Sequence, residues 1–105
     1  MSKAKLTLTA NPTFKARVAI PVPGAASVPV EFTFRHRDQT EYNEWVSELV
    51  GKDEVDLVLD IASGWDLEDP FGRDTVEQLL SNYMGSGKAI FTRYIDENTG
   101  AKAGN

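Results

Sequence analysis

The spacing of apolar residues changes once along this chain, from a period of two to one of about 3.6, so strands are expected first and helices after. Leu6-Thr7-Leu8-Thr9 alternates apolar with β-branched polar residues and predicts a short first strand. Asn11-Pro12 marks a turn. Phe14, Ala16, Val18 and Ile20 then share one face of a second strand, with Lys15 and Arg17 on the other. Pro21-Val22-Pro23-Gly24-Ala25-Ala26-Ser27 reads as a loop by its prolines and glycine. In the third strand Val28, Val30, Phe32 and Phe34 alternate with Pro29, Glu31, Thr33 and Arg35, and Pro29 suits an edge or a strand beginning. Three short strands with tight connections predict an antiparallel meander with one apolar face, which needs a second layer to cover it.

Helices supply that layer. Asp38 followed by Glu41 is a capping box, and the first helix is expected to run to about Val50, where Gly51 stops it. Its apolar stripe is Tyr42, Trp45, Val46, Leu49 and Val50. Asp53 opens a second helix with Glu54 and Asp56 in the first turn, where the helix dipole favours acids. Val55, Val58, Leu59 and Ala62 lie on one side of it, with Leu57, Ile61 and Trp65 nearby. A third helix over roughly Pro70–Tyr83 presents Val76, Leu79, Leu80 and Tyr83, and Gly85-Ser86-Gly87 breaks it. A fourth, from Lys88 to about Asp96, carries Ile90, Phe91, Tyr94 and Ile95. The fold class is therefore α+β: an N-terminal three-stranded antiparallel meander followed by a cluster of about four helices. Residues 1–97 are expected to form one domain, and 98–105, small and polar, a flexible tail.

The connector between the second and third helices is unusually apolar. Trp65, Leu67 and Phe71 fall within seven positions, so they are expected to tuck beneath the helices that they join. Gly64 is expected as a helix C′ residue with positive φ, and Asp69-Pro70 as a cap followed by a first-turn proline.

Composition narrows the function more than it defines it. The 105 residues include no cysteine, so disulfides and thiolate metal sites are unavailable. No apolar run approaches the roughly 18–20 residues that span a bilayer, and the basic start Met1-Ser2-Lys3-Ala4-Lys5 leads into an alternating stretch rather than a signal-peptide core. The expectation is a soluble protein that stays where it was made. The net charge of −5 is segregated: residues 1–37 carry +5, residues 38–77 carry −11, and residues 78–105 carry +1. The acidic middle repels phosphate, which argues against nucleic acid as a partner. Opposite-sign halves are also able to pair head to tail between copies, a contact that closes into a ring or runs on as a spiral.

Candidate chemistry is sparse. His36 is the sole histidine, at the end of the third strand between Arg35 and Arg37, with no second ligand of its kind for a metal. Asp66-Leu67-Glu68-Asp69 lacks the alternating oxygen ligands of a calcium loop. Gly85-Ser86-Gly87-Lys88 departs from a phosphate loop, because Ala89 follows the lysine and a helix precedes it. No serine has a nucleophile context. The expectation is a non-catalytic protein without cofactor or metal, whose aromatic residues Trp45, Trp65, Phe71, Tyr83, Phe91 and Tyr94 sit at core spacing and build the core, with an apolar groove lined by some of them left open.

One stretch carries a family likeness. Gly64-Trp65-Asp66-Leu67-Glu68-Asp69-Pro70-Phe71, then Val76-Glu77-Gln78-Leu79-Leu80-Ser81-Asn82-Tyr83 and Ala89-Ile90-Phe91-Thr92-Arg93-Tyr94, resembles the small tail assembly chaperones of long-tailed bacteriophages. The strand Val30–Arg35 and Tyr42-Asn43-Glu44-Trp45 suit the same pattern, which spans roughly Pro29–Glu97. Met84-Gly85 stands where such proteins often have a proline. The resemblance implies a chaperone that binds the phage tape measure protein, keeps it soluble in the host bacterial cytoplasm, and is absent from the finished virion. It also implies a longer frameshifted form that recruits tail tube protein. The candidate partner-binding or structural residues are Trp65, Leu67, Phe71, Tyr83 and Tyr94. Two other readings compete with it: an acidic, DNA-mimic-like module that binds a basic host protein, and a small enzyme, which the missing constellation disfavours.

Overall fold

The computed structural model describes residues 3–100. Its elements run β1 (Thr13–Ile20), β2 (Val28–Arg35), α1 (Gln39–Ser47), α2 (Glu54–Ile61), β3 (Ala62–Trp65), α3 (Arg73–Asn82) and α4 (Ser86–Thr99). The architecture is α+β, with one three-stranded antiparallel sheet and four helices. β1 and β2 form a hairpin in which Thr13 faces Arg35 and Ile20 faces Val28. The alternation read from sequence gives the sheet two unlike faces. Ala16, Val18, Ile20, Val30, Phe32 and Phe34 are buried on one, while Lys15, Arg17 and Arg35 are exposed on the other.

The third strand comes from elsewhere than its pattern suggests. Leu6-Thr7-Leu8-Thr9 is not a strand, and Leu6 and Leu8 are 81% and 96% exposed. The position beside β2 belongs to β3, with Phe32 opposite Trp65, Thr33 opposite Gly64 and Phe34 opposite Ala62. Ser63 is the extra residue in that ladder, a bulge that lets a short strand follow directly on a helix. Ala62 is both the C-cap of α2 and the first residue of β3, its backbone already extended at φ −123°, ψ 148°. Gly64 consequently sits in the strand and not at a left-handed helix end. Among the described residues the positive-φ glycines are Gly24, Gly51 and Gly100.

The helices cover the apolar face, α4 along β1 and α2 against β2 and β3. The capping box of α1 is present: Glu41 N–H donates to Asp38 at 2.9 Å, and Asp38 N–H donates to Glu41 at 3.0 Å. That helix ends at Ser47, short of Val50, which is 94% exposed. Only Tyr42, Trp45 and Leu49 of its expected stripe reach the core. Trp45 packs on α4, 5.6 Å from Phe91 and 5.4 Å edge-on to Tyr94. Phe34 lies 5.5 Å from the same tyrosine, and burying a phenylalanine there contributes roughly 1.5–3 kcal/mol.

Three helix boundaries also move. α3 starts at Arg73 with Gly72 as N-cap, so Asp69-Pro70 precedes the helix instead of capping it. The Pro70 carbonyl instead accepts the Thr75 hydroxyl at 2.6 Å, and Thr75 Oγ1 in turn accepts the Gly72 N–H at 3.0 Å. α4 starts at Ser86, within the expected break, because Ser86 Oγ donates to the Tyr83 carbonyl (2.6 Å) and closes the turn with its own side chain. The helix continues through Asn98 and Thr99, where the sequence reads the start of the tail. The reason is a long-range clamp: Asn98 accepts the Arg37 N–H at 3.0 Å and donates to the Arg37 carbonyl at 3.1 Å. Most of the expected tail, residues 101–105, lies outside the described residues.

Candidate functional site

An open apolar groove of about 400 Å³ lies between the sheet and α3. Ile20, Val22, Val28 and Val30 line it from the β1–β2 hairpin, and Leu79 and Tyr83 from α3. Trp65 reaches it from the end of β3 and Leu67 from the connector that follows, while Asp69, Thr75, Gln78 and Asn82 give it polar borders. The phase of α3 accounts for its part. Val76 and Leu80 are buried in the core, and Leu79 and Tyr83, one position further round, are only partly buried and remain available to the groove.

The connector is built to hold Trp65 in place. Its Nε1–H donates to the Asp69 carbonyl at 2.7 Å, closing a tight loop around Leu67. Its ring meets Phe32 edge-on at 5.9 Å and Phe71 edge-on at 5.1 Å. Asp66 extends the β2–β3 ladder: its N–H donates to the Glu31 carbonyl at 3.0 Å, and its carboxylate accepts the Glu31 N–H at 2.8 Å. The indole thus faces the groove from a rigid seat. Leu67 is 37% exposed at its border.

Of the five expected residues, Trp65, Leu67 and Tyr83 meet in the groove. Phe71 props the Trp65 ring without lining the groove. Tyr94 is fully buried elsewhere, and its hydroxyl donates to the Arg35 carbonyl at 2.8 Å and accepts from Arg37 Nη1 at 3.0 Å. Burial raises the ionisation of that hydroxyl above the usual tyrosine value, opposed in part by the Arg37 hydrogen bond and charge. Arg37 also donates to the Asp60 carbonyl at 2.9 Å and stacks over Trp45 at 5.0 Å. This cluster joins the end of β2 to α1, α2 and α4, so its work is structural.

Sequence reasoning missed Val22 and Val28 as groove residues. Val22 lies between two prolines, and an apolar residue fixed in a rigid turn was the available signal. Ile20 and Leu79 read as core positions and serve partly as such.

Charge is segregated in space as well as in sequence. Glu41, Glu44, Glu48 and Asp60 line a polar recess with Arg37 and Lys52 over Trp45. Lys52 pairs with Asp60 at 2.7 Å, and that hydrogen bond raises the lysine above its usual range. Arg73 pairs with Asp56 at 2.7 Å, tying the start of α3 to α2 and lowering the aspartate from its usual range. Arg17, Lys88 and Arg93 instead border a recess between β1 and α4. His36 is half-buried, with its backbone N–H on the Pro12 carbonyl at 2.9 Å. Among the described residues no group of histidine, aspartate and glutamate is placed to hold a metal ion, and no helix is long and apolar enough to cross a membrane.

A family model described as phage tail assembly chaperone matches residues 1–105, the whole chain. Nothing among curated proteins or solved structures matches.

Proposed function

Since the chain belongs to the phage tail assembly chaperone family, we propose that it binds the tape measure protein before tail tube protein polymerises and keeps it soluble. The observation that carries this reading is the open apolar groove at Trp65, Leu67, Leu79 and Tyr83. A tape measure protein is long and helical and exposes apolar stripes, and an apolar stripe of a helix is what a groove of this kind covers. The polar borders at Asp69, Gln78 and Asn82 suit the flanks of such a helix, where the stripe gives way to polar residues. The protein acts without catalysis, in the cytoplasm of the host, as a sheath for surface that would otherwise aggregate. Several copies along one client would add avidity to a groove that is modest on its own.

Co-expression with the tape measure protein of the same genome tests the proposal. The client is expected in the soluble fraction and co-purifies with the chaperone. Leu67→Asp, at a residue already 37% exposed, is expected to abolish co-purification while leaving the circular dichroism spectrum unchanged. A client that stays insoluble with no complex formed would sink the reading.

A further inference from the structure

The sheet has two edges, and they are unlike. β3 is four residues long and bulged against β2, two of the ways in which an edge is kept from pairing with another chain. β1 is eight residues long, contains no proline and pairs on one side only, with β2. In such a strand every second residue turns its N–H and C=O away from the ladder. Among the described residues no backbone group of Thr13–Ile20 makes a hydrogen bond outside that ladder.

A recess of about 560 Å³ runs along this open edge, and α4 forms its other wall. Arg17 and Ala19 lie on the outer face of β1 and Val18 on the inner face, so a recess lined by all three views the strand from its edge. On α4 the lining residues Lys88, Ala89, Thr92, Arg93 and Asp96 recur at helical spacing and form one stripe. Ala89 and Thr92 are small, which leaves room for a chain between helix and strand.

Charge selects what fits there. Arg17 and Lys88 border the recess, and Lys15 lies on the same face of β1 as Arg17; none of the three makes an ion pair among the described residues. Arg93 adds a fourth cation, with Glu97 at 3.5 Å, and Asp96 is the one carboxylate in the lining. We infer that the edge of β1 and the facing stripe of α4 take an extended acidic segment of a partner protein, added to the sheet as a fourth strand. Its outward side chains carry the acids, beside Lys15 and Arg17. Its inward side chains are small and apolar, against Ala89 and Thr92, with Lys88 and Arg93 at the rim. The same cations turn away the chain's own arm, which carries Lys3 and Lys5, and the edge of a second β1, because either brings like charges together. Nucleic acid has the right charge but no peptide N–H and C=O to continue the ladder. The recess and the hairpin–α3 groove share no lining residue, so the inference does not depend on the client reading.

A fluorescein-labelled octapeptide of alternating glutamate and valine is the probe, and its fluorescence anisotropy with the full chain at low salt is the readout. This peptide is expected to bind, and the alternating lysine–valine octapeptide is not. Methylating the backbone nitrogens of the glutamates in one peptide, and of the valines in another, blocks opposite edges of the strand. One of the two is expected to lose about tenfold or more in affinity and the other to bind as before. Arg17→Glu with Lys88→Glu, both at exposed positions, is expected to weaken binding by about tenfold or more with an unchanged circular dichroism spectrum. The inference is overturned if the glutamate–valine peptide does not bind, or if the lysine–valine peptide or an oligothymidylate of the same length binds as well. Two methylated peptides that behave alike, or binding indifferent to the charge reversals, would overturn it equally.

Discussion

Removing the Tyr94 hydroxyl would leave two groups without their partner, the Arg35 carbonyl and one guanidinium N–H of Arg37. Tyr94→Phe keeps the ring and its packing on Phe34 and Trp45, so the loss is that of the hydrogen bonds alone. The expected cost is about 1–3 kcal/mol, read as a lower urea midpoint with an unchanged slope. The same side chain makes a prediction about pH. Its ionisation is raised above the 10.0 of a free tyrosine, mainly by burial, so the unfolded chain gives up this proton first. Above pH 10 the folded state then holds more protons than the unfolded state, and stability falls as pH rises towards the folded value. Below pH 10 this contribution is fully present. Tyr94→Phe removes that titration, and its loss of stability on the alkaline side should be shallower than that of the native chain. The sequence showed Tyr94 at core spacing. It could not show a hydrogen bond to a residue 59 positions away.

At the scale of elements, local chemistry was legible and pairing was not. The capping box at Asp38 and the N-cap at Asp53 appear where their residue types require, because each bond spans only three positions. The alternating faces of β1 and β2 are equally local. β3 was hidden because Ala62-Ser63-Gly64-Trp65 contains no β-branched residue and follows α2 without a break. Leu6-Thr7-Leu8-Thr9 has the better strand pattern, but a strand needs a neighbour and a cover, and the folded body places β3 beside β2. Two glycines test this account with opposite signs. Gly51 has φ +88° after α1, so Gly51→Ala is expected to cost about 1–2 kcal/mol. Gly64 is a strand residue outside that region, and a Cβ there would meet Thr33 at 3.9 Å, an ordinary contact. Gly64→Ala is therefore expected to be neutral or to stabilise by about 0.4–1 kcal/mol through the unfolded chain. Urea midpoints of the two variants measure both. A marked loss at Gly64 would mean that the connector needs a glycine for a reason other than its place in β3.

Across the whole molecule, the acids of α1 and the apolar groove lie apart, and the separation distinguishes the two binding readings. Glu41, Glu44 and Glu48 border the recess over Trp45, whereas the groove lies between the hairpin and α3. The charge segregation was legible from the chain, but the groove was legible only in part. Trp65, Leu67 and Tyr83 stood out as large apolar residues near one connector, while Val22 and Val28 join them only through the hairpin turn. A chaperone that covers apolar stripes should bind its client through the groove, with weak dependence on salt, because burial of apolar surface is not screened. A decoy for a basic host protein would bind through the acids and lose affinity steeply as salt rises. Glu44→Lys with Glu48→Lys, both on exposed positions of the α1 end, should therefore leave co-purification of the tape measure protein nearly unchanged, and Leu67→Asp should abolish it. The same pair of variants, measured at low salt and at several times physiological salt, separates the surfaces. If the lysine variant loses the client and the native complex dissolves in salt while Leu67→Asp keeps it, the acidic face is the binding surface and the groove is not.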